Sequence, residues 1–261
     1  MFTLHEIILF FSSFVLIAGV PLYKIYRDKM VSSQKSGKGA FNARKILMLM
    51  FVNLALVVGS LTLLLTVLYG VMSVGKIDGQ KIVLMYLFFV TQSMAFMGSG
   101  IYMTSIVLER YTLPSLRKHP AFDTQFIATH LFHGPISHVM IFSNIIIALL
   151  ILSILDLSVY SHFNDRAPWL ILAGGIAGSF YAYAQIYNKT YPYQFFTAIG
   201  AICVFAIVVL ARHTNALASP TATYFVGFEA TFLLTNVNYF VLKILNKEKL
   251  SFTEAGREEV L

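Results

Sequence analysis

The residues of this chain best suited to chemistry are polar and ionisable groups set inside long apolar stretches. The densest run is Thr129, His130, His133, Ser137 and His138, interrupted by Gly134-Pro135. Imidazole changes charge near neutral pH, so histidines held in an apolar medium are candidate proton or ligand groups. His130 and His133, three residues apart, share a helix face; on a straight helix His138 would sit about 80° round from His130. Proline within a helix removes one hydrogen bond and kinks the rod, freeing carbonyls that need partners. A second stripe comprises Glu229, Asn236 and Lys243, which recur every seven residues and lie on nearly one line of a helix. Measured from the ends of their apolar stretches, Glu229 and His138 reach similar depths, which predicts a Glu229–His138 contact facing the interior. Such a pair would offset the cost of a carboxylate in lipid, about 2.5 kcal/mol or more near the bilayer centre. Nearer the cytoplasm, His130, His133, Asn53, Gln185, Asn236 and Asn238 fall at comparable depths, with Tyr181 and Tyr183 beside them. The expected ligand or proton site is therefore Glu229, His138, His130, His133 and Asn236. The plainer reading of the amides is a set of interhelical hydrogen bonds, each worth about 0.6 to 2 kcal/mol.

Several chemistries can be weighed from residue type alone. Copper or zinc could be held by His130, His133 and His138, although their spacing matches no metal-ligand signature. Haem needs axial ligands from facing helices, and all three deep histidines lie on one segment, so a second ligand would have to come from a partner subunit. His5, His162 and His213 fall near the outer surface and His119 in an inner loop. A covalent retinal needs a lysine midway along the last helix, whereas Lys243 lies at its end. H-E-x-x-H, G-x-S-x-G and paired intramembrane aspartates are all missing from the sequence, which argues against a protease or phosphatase. Asp156 and Asp165 read as interfacial or loop residues.

The elements that must position these groups follow from composition. Of 261 residues, 57% are hydrophobic and only 12% charged, and the mean hydropathy is +0.74. That is the composition of a chain whose solvent is lipid. Apolar stretches able to cross a core of about 30 Å, roughly 20 helical residues, occur near 7–25, 46–74, 82–108, 126–155, 168–187, 195–211 and 222–245. They are continuously apolar rather than alternating, which predicts an all-α polytopic bundle of about seven transmembrane helices and not a β-barrel. One domain, 1–246, would hold all seven, followed by a cytoplasmic tail, 247–261. The net charge of +7 comes from loop residues that face lipid headgroups, so nucleic acid is not an expected partner. All but Lys76, Lys81, Arg166 and Arg212 of the 19 lysines and arginines fall on one side of this arrangement. The positive-inside rule then places the N-terminus outside and the C-terminus in the cytoplasm, with the plasma membrane the expected location.

Finer features fit that frame. The first stretch has Glu6 before it and basic residues after it, and no A-x-A cleavage site, so it reads as a retained helix. Glu109-Arg110-Tyr111 closes the third span as an interfacial anchor. Pro168 after Asn164-Asp165, and Pro220 after Ser219, resemble helix starts. Gly174 and Gly178 form a G-x-x-x-G face suited to close helix packing within the chain. The single Cys203 allows no internal disulfide. Two functional classes emerge: a protein that moves or senses a small solute or proton through its His/Glu site, or a helical subunit of a larger membrane complex, redox or otherwise, contributing a metal or haem ligand.

Overall fold

The structure, a computed structural model, describes residues 4, 6–11, 43–73, 77–108, 118–157, 165–187 and 190–246, apart from some side chains in 43–60 and those of residues 106 and 187. The expected span at 7–25 therefore lies mostly outside the described residues, as do Glu109-Arg110-Tyr111, the Asn53 side chain and the tail 247–261. Residues 6–11 are helical. Seven helices follow: α1 (Ala43–Ser73), α2 (Gly79–Val107), α3 (Phe122–Leu131), α4 (Ser137–Asp156), α5 (Ala167–Tyr187), α6 (Tyr191–Ala211) and α7 (Pro220–Leu245). A π-helical turn, Phe132–Ile136, joins α3 to α4, so that Phe122–Asp156 forms one rod. No strand occurs among the described residues.

Five of these rods are long and apolar enough to cross a membrane: α2, α3–α4, α5, α6 and α7. The apolar stretch Leu61–Ser73 of α1 is shorter. The chain is thus an all-helical membrane protein. Helices are the form a chain takes in lipid because each closes its own backbone hydrogen bonds. Hydroxyls within them do the same locally: Thr91, Ser93, Thr104, Thr129, Ser153 and Thr223 each donate to the carbonyl four residues back, at 2.7–3.0 Å. A serine or threonine in these rods is therefore no sign of a site.

The α3–α4 rod is the axis of the bundle. It packs against α1, α2, α6 and α7, and 72% of its most apolar window is buried, against 22–44% for the other four. Close backbone approach fixes α5 on α7. A Cβ added at Gly174 would fall on the carbonyl oxygen of Tyr224, one at Gly178 on that of Phe228, and one at Gly227 on that of Ile171. The G-x-x-x-G face is thus spent inside this chain, as its small residues suggested.

Helix ends are finished by specific groups. Asp78 caps α2 through the Lys81 amide at 2.9 Å. At the end of α6, His213 takes a left-handed conformation (φ 51°), and the amides of His213 and Thr214 return to the carbonyls of Leu210 and Val209 at 3.2 Å. Asp156, the last residue of α4, reaches across to α7, where its Oδ2 accepts from the Thr221 amide at 2.7 Å. Sequence reading placed Asp156 at an interface or in a loop; it is the last residue of the membrane-crossing rod and is fully covered by protein there. The reason is that Pro220 starts α7 beside it, and the exposed amides there need an acceptor. Nearby, Arg166 pairs with buried Glu6 at 2.5 Å, and Arg212 donates to Ile154 O at 3.3 Å and Gln80 Oε1 at 3.1 Å. These contacts gather Lys81, Arg166 and Arg212 at one end of the bundle, the Asp156 end.

Candidate functional site

The π turn explains the histidine run. Pro135 has no amide hydrogen to give the preceding turn, the helix widens there, and the Ser137 amide is directed at the carbonyls of Phe132 and Gly134. Two side chains of the same run also bond to its carbonyls: Ser137 Oγ donates to His133 O at 2.5 Å, and His138 Nδ1 lies 2.8 Å from Gly134 O. A carbonyl can only accept, so Nδ1 of His138 carries the hydrogen and Nε2 is the nitrogen that gains or loses a proton.

The imidazoles form a ladder along the rod. Ring centroids are 6.3 Å apart for His130 and His133 and 6.1 Å for His133 and His138, with Phe126 stacked below at 5.7 Å and Phe142 above at 5.5 Å. Tyr102 of α2 packs against both His133 (5.1 Å) and His138 (5.3 Å). Among the described residues, no group of three His, Cys, Asp or Glu side chains is placed to hold a metal ion. The copper or zinc expected at His130, His133 and His138 therefore has no such site. The rings step along the helix, each against an aromatic neighbour, and do not turn toward one centre.

Contacts between helices set the vertical register. Between α4 and α6, which run parallel, Gln194 Nε2 donates to His138 O at 3.4 Å and Thr197 Oγ1 to Ser143 Oγ at 3.1 Å. Between antiparallel α6 and α7, Phe205 faces Phe225 and Tyr191 faces Tyr239, both at 5.1 Å. The same pairing rule sets Gln194 opposite Asn236. Parallel α5 and α7 meet at Gly174–Tyr224 and Gly178–Phe228, which carries Gln185 to the level of Asn236. His138, Gln185, Gln194 and Asn236 thus make one layer of buried polar residues from four helices.

Glu229 stands two turns away, about 10 Å at 1.5 Å per residue. The expected Glu229–His138 contact is not made: both carboxyl oxygens of Glu229 are buried without a hydrogen-bond partner. Depth counted from apolar boundaries misled because α3–α4 begins at Phe122 and ends at Asp156, under the start of α7, so it is offset from α7. It is Asn236, on the same stripe as Glu229, that shares a level with His138. Tyr181, 3% exposed, lies within electrostatic reach of Glu229 and donates from its hydroxyl to Phe142 O at 2.8 Å. Its ring contacts Phe228 at 5.4 Å and Phe232 at 5.9 Å. Tyr183 and Asn238, expected beside the layer, are exposed. Lys243 ends α7 with its ammonium 5.3 Å from the Tyr239 ring centroid, far from mid-helix.

Gln194 was not singled out from sequence. A glutamine seven residues before Ala201 on a helix with buried Ala198, Ala201 and Phe205 is the available signal, since it continues the buried stripe of α6. The chain matches no protein-family model, no curated protein and no solved structure in comparisons with known proteins.

Proposed function

We propose that this chain carries a small solute across the plasma membrane coupled to a proton, with Glu229 as the group that takes the proton. The observation supporting this is a carboxyl group on a membrane-crossing helix, buried at 0% exposure, with neither oxygen hydrogen-bonded. An ionised carboxylate so placed is costly unless a proton or a cation compensates its charge. A residue kept at such cost is a working group more readily than a structural one. The buried amide layer two turns away provides polar footing along the same helix, and Tyr181 stands between the layer and Glu229 as a hydroxyl of short reach. His138, whose Nδ1 donates to Gly134 O, places a second titratable side chain at the level of the layer.

The test is proton movement in liposomes. The full chain, reconstituted with a trapped pH dye and an imposed membrane potential, is expected to admit protons faster than protein-free liposomes do. Glu229→Gln keeps the shape and removes the titrating group, and should lower that rate by about 10²-fold, the low end of what one positioned proton-transfer group contributes. Equal rates in variant and parent would remove Glu229 from the path. A parent no faster than bare lipid would overturn proton-coupled transport itself.

A further inference from the structure

We infer that the amide layer of Gln185, Gln194 and Asn236 binds a small, uncharged solute rich in N–H or O–H donors. The argument starts from which atoms are free. Asn236 Nδ2 donates to Phe232 O at 2.8 Å and Gln194 Nε2 to His138 O at 3.4 Å. Both partners are backbone carbonyls, which only accept, so the amides cannot be turned round, and Asn236 Oδ1 and Gln194 Oε1 are the atoms left over. Both are buried without a partner. Gln185 is held at Oε1 by the Thr190 hydroxyl at 2.9 Å, leaving its Nε2 without a partner. All three residues are 0% exposed, they come from three helices, and the register puts them at one level.

Many hydroxyls in these helices bond to their own backbone, and among the described residues the other buried side-chain atoms without a partner belong to Gln92, Asp156, Thr214, Ser219 and Glu229. Two acceptors and one donor left open at a single level describe the complement of a ligand. It needs at least two donor hydrogens and one acceptor, which excludes a simple anion. The three amides carry no formal charge, and their open donor calls for an acceptor that a bare cation lacks; with His138, the titratable member of the layer, in its neutral form, the fit is to a neutral molecule with an amide or hydroxyl group. Glu229, about 10 Å along α7, is then the coupling group and not a ligand-binding one.

This inference rests on the transport reading, which gives a solute its way in. The probe is acetamide, with acetate as a partner of the same size and shape that lacks N–H donors. Saturation-transfer NMR on the full chain in lipid nanodiscs should show transfer to the acetamide methyl several times that to the acetate methyl. Asn236→Leu and Gln194→Met each keep side-chain volume while removing an acceptor, and either should abolish the acetamide signal with helicity and monodispersity intact. Two variants guard against one failing to fold. Equal transfer to acetate and acetamide, or an acetamide signal that survives in a folded variant, overturns the proposal. Glu229→Gln separates the two readings. Loss of proton flux with acetamide transfer retained supports both. Proton flux without acetamide transfer sinks the layer proposal alone, and acetamide transfer without proton flux in the parent sinks proton coupling alone.

Discussion

At the scale of the single residue, Glu229 is the position where local physics and stability pull apart. A buried carboxyl with no hydrogen bond is a net loss to the fold, because burial strips its water and returns nothing. Glu229→Leu should therefore raise stability by about 1–3 kcal/mol, while proton flux in liposomes disappears. Thermal unfolding in detergent, followed by circular dichroism, measures the first quantity; at this chain length the gain corresponds to a rise of a few degrees, ~2–4 °C per kcal/mol. A lower midpoint would mean that the carboxyl contributes to folding, and the case for a working group would fall with it. Such a trade of stability for activity is what functional sites commonly show. The stripe Glu229–Asn236–Lys243 was legible in the sequence because a period of seven lies close to two helical turns. What Glu229 faces was not, since that depends on how far each helix slides against its neighbours. His138 shows the same split: its proximity to a proline-widened turn was readable, but its bond to Gly134 O depends on local geometry that a π turn creates.

At the scale of the element, small residues decide which helices touch. Gly174 and Gly178 let the α5 backbone lie directly on α7, and a methyl group at either position would occupy the place of a backbone carbonyl oxygen. Backbone cannot step aside as a flexible side chain does. Gly174→Ala and Gly178→Ala should each cost about 1–3 kcal/mol as overpacking, with the detergent-solubilised protein unfolding at correspondingly lower temperature. Gly100 on α2 is the internal comparison: nothing lies within 4 Å of an added Cβ there. Gly100→Ala should be stabilising by about 0.5–1 kcal/mol, because alanine gives up less backbone freedom in a helix than glycine does. If all three alanine variants moved the midpoint alike, the close α5–α7 contact would be wrong. The G-x-x-x-G pattern announced this packing in advance, as did Pro220 the start of α7. The reach of Asp156 to the Thr221 amide was hidden, because the two are 65 residues apart and only the fold brings them together.

At the scale of the whole molecule, charge and packing bear on one question, which way the bundle stands. Composition alone was enough to read an all-helical membrane protein, since length and apolarity of a segment suffice for that. Side-to-side order of the helices was not readable, because in lipid every apolar face is equally at ease and selection falls to glycines, caps and buried polar contacts. Arg166 and Arg212, through contacts with Glu6, Gln80 and Ile154, and Lys81, next to Gln80 at the start of α2, are the described members of the minority basic set, and they gather at the Asp156 end. The orientation we propose places that end outside, because cytoplasmic loops hold the excess of lysine and arginine. It makes a concrete forecast for α7. Asn215 is exposed just before its start and Asn246 is exposed at its end. In a Cys203→Ala background, Asn215→Cys on intact cells should react with a membrane-impermeant maleimide, and Asn246→Cys should react only after permeabilisation. The reverse pattern would invert the bundle and put its basic loops outside. Labelling of both positions from outside would mean that α7 does not cross, and Glu229 would lose the lipid setting on which its proposed role depends.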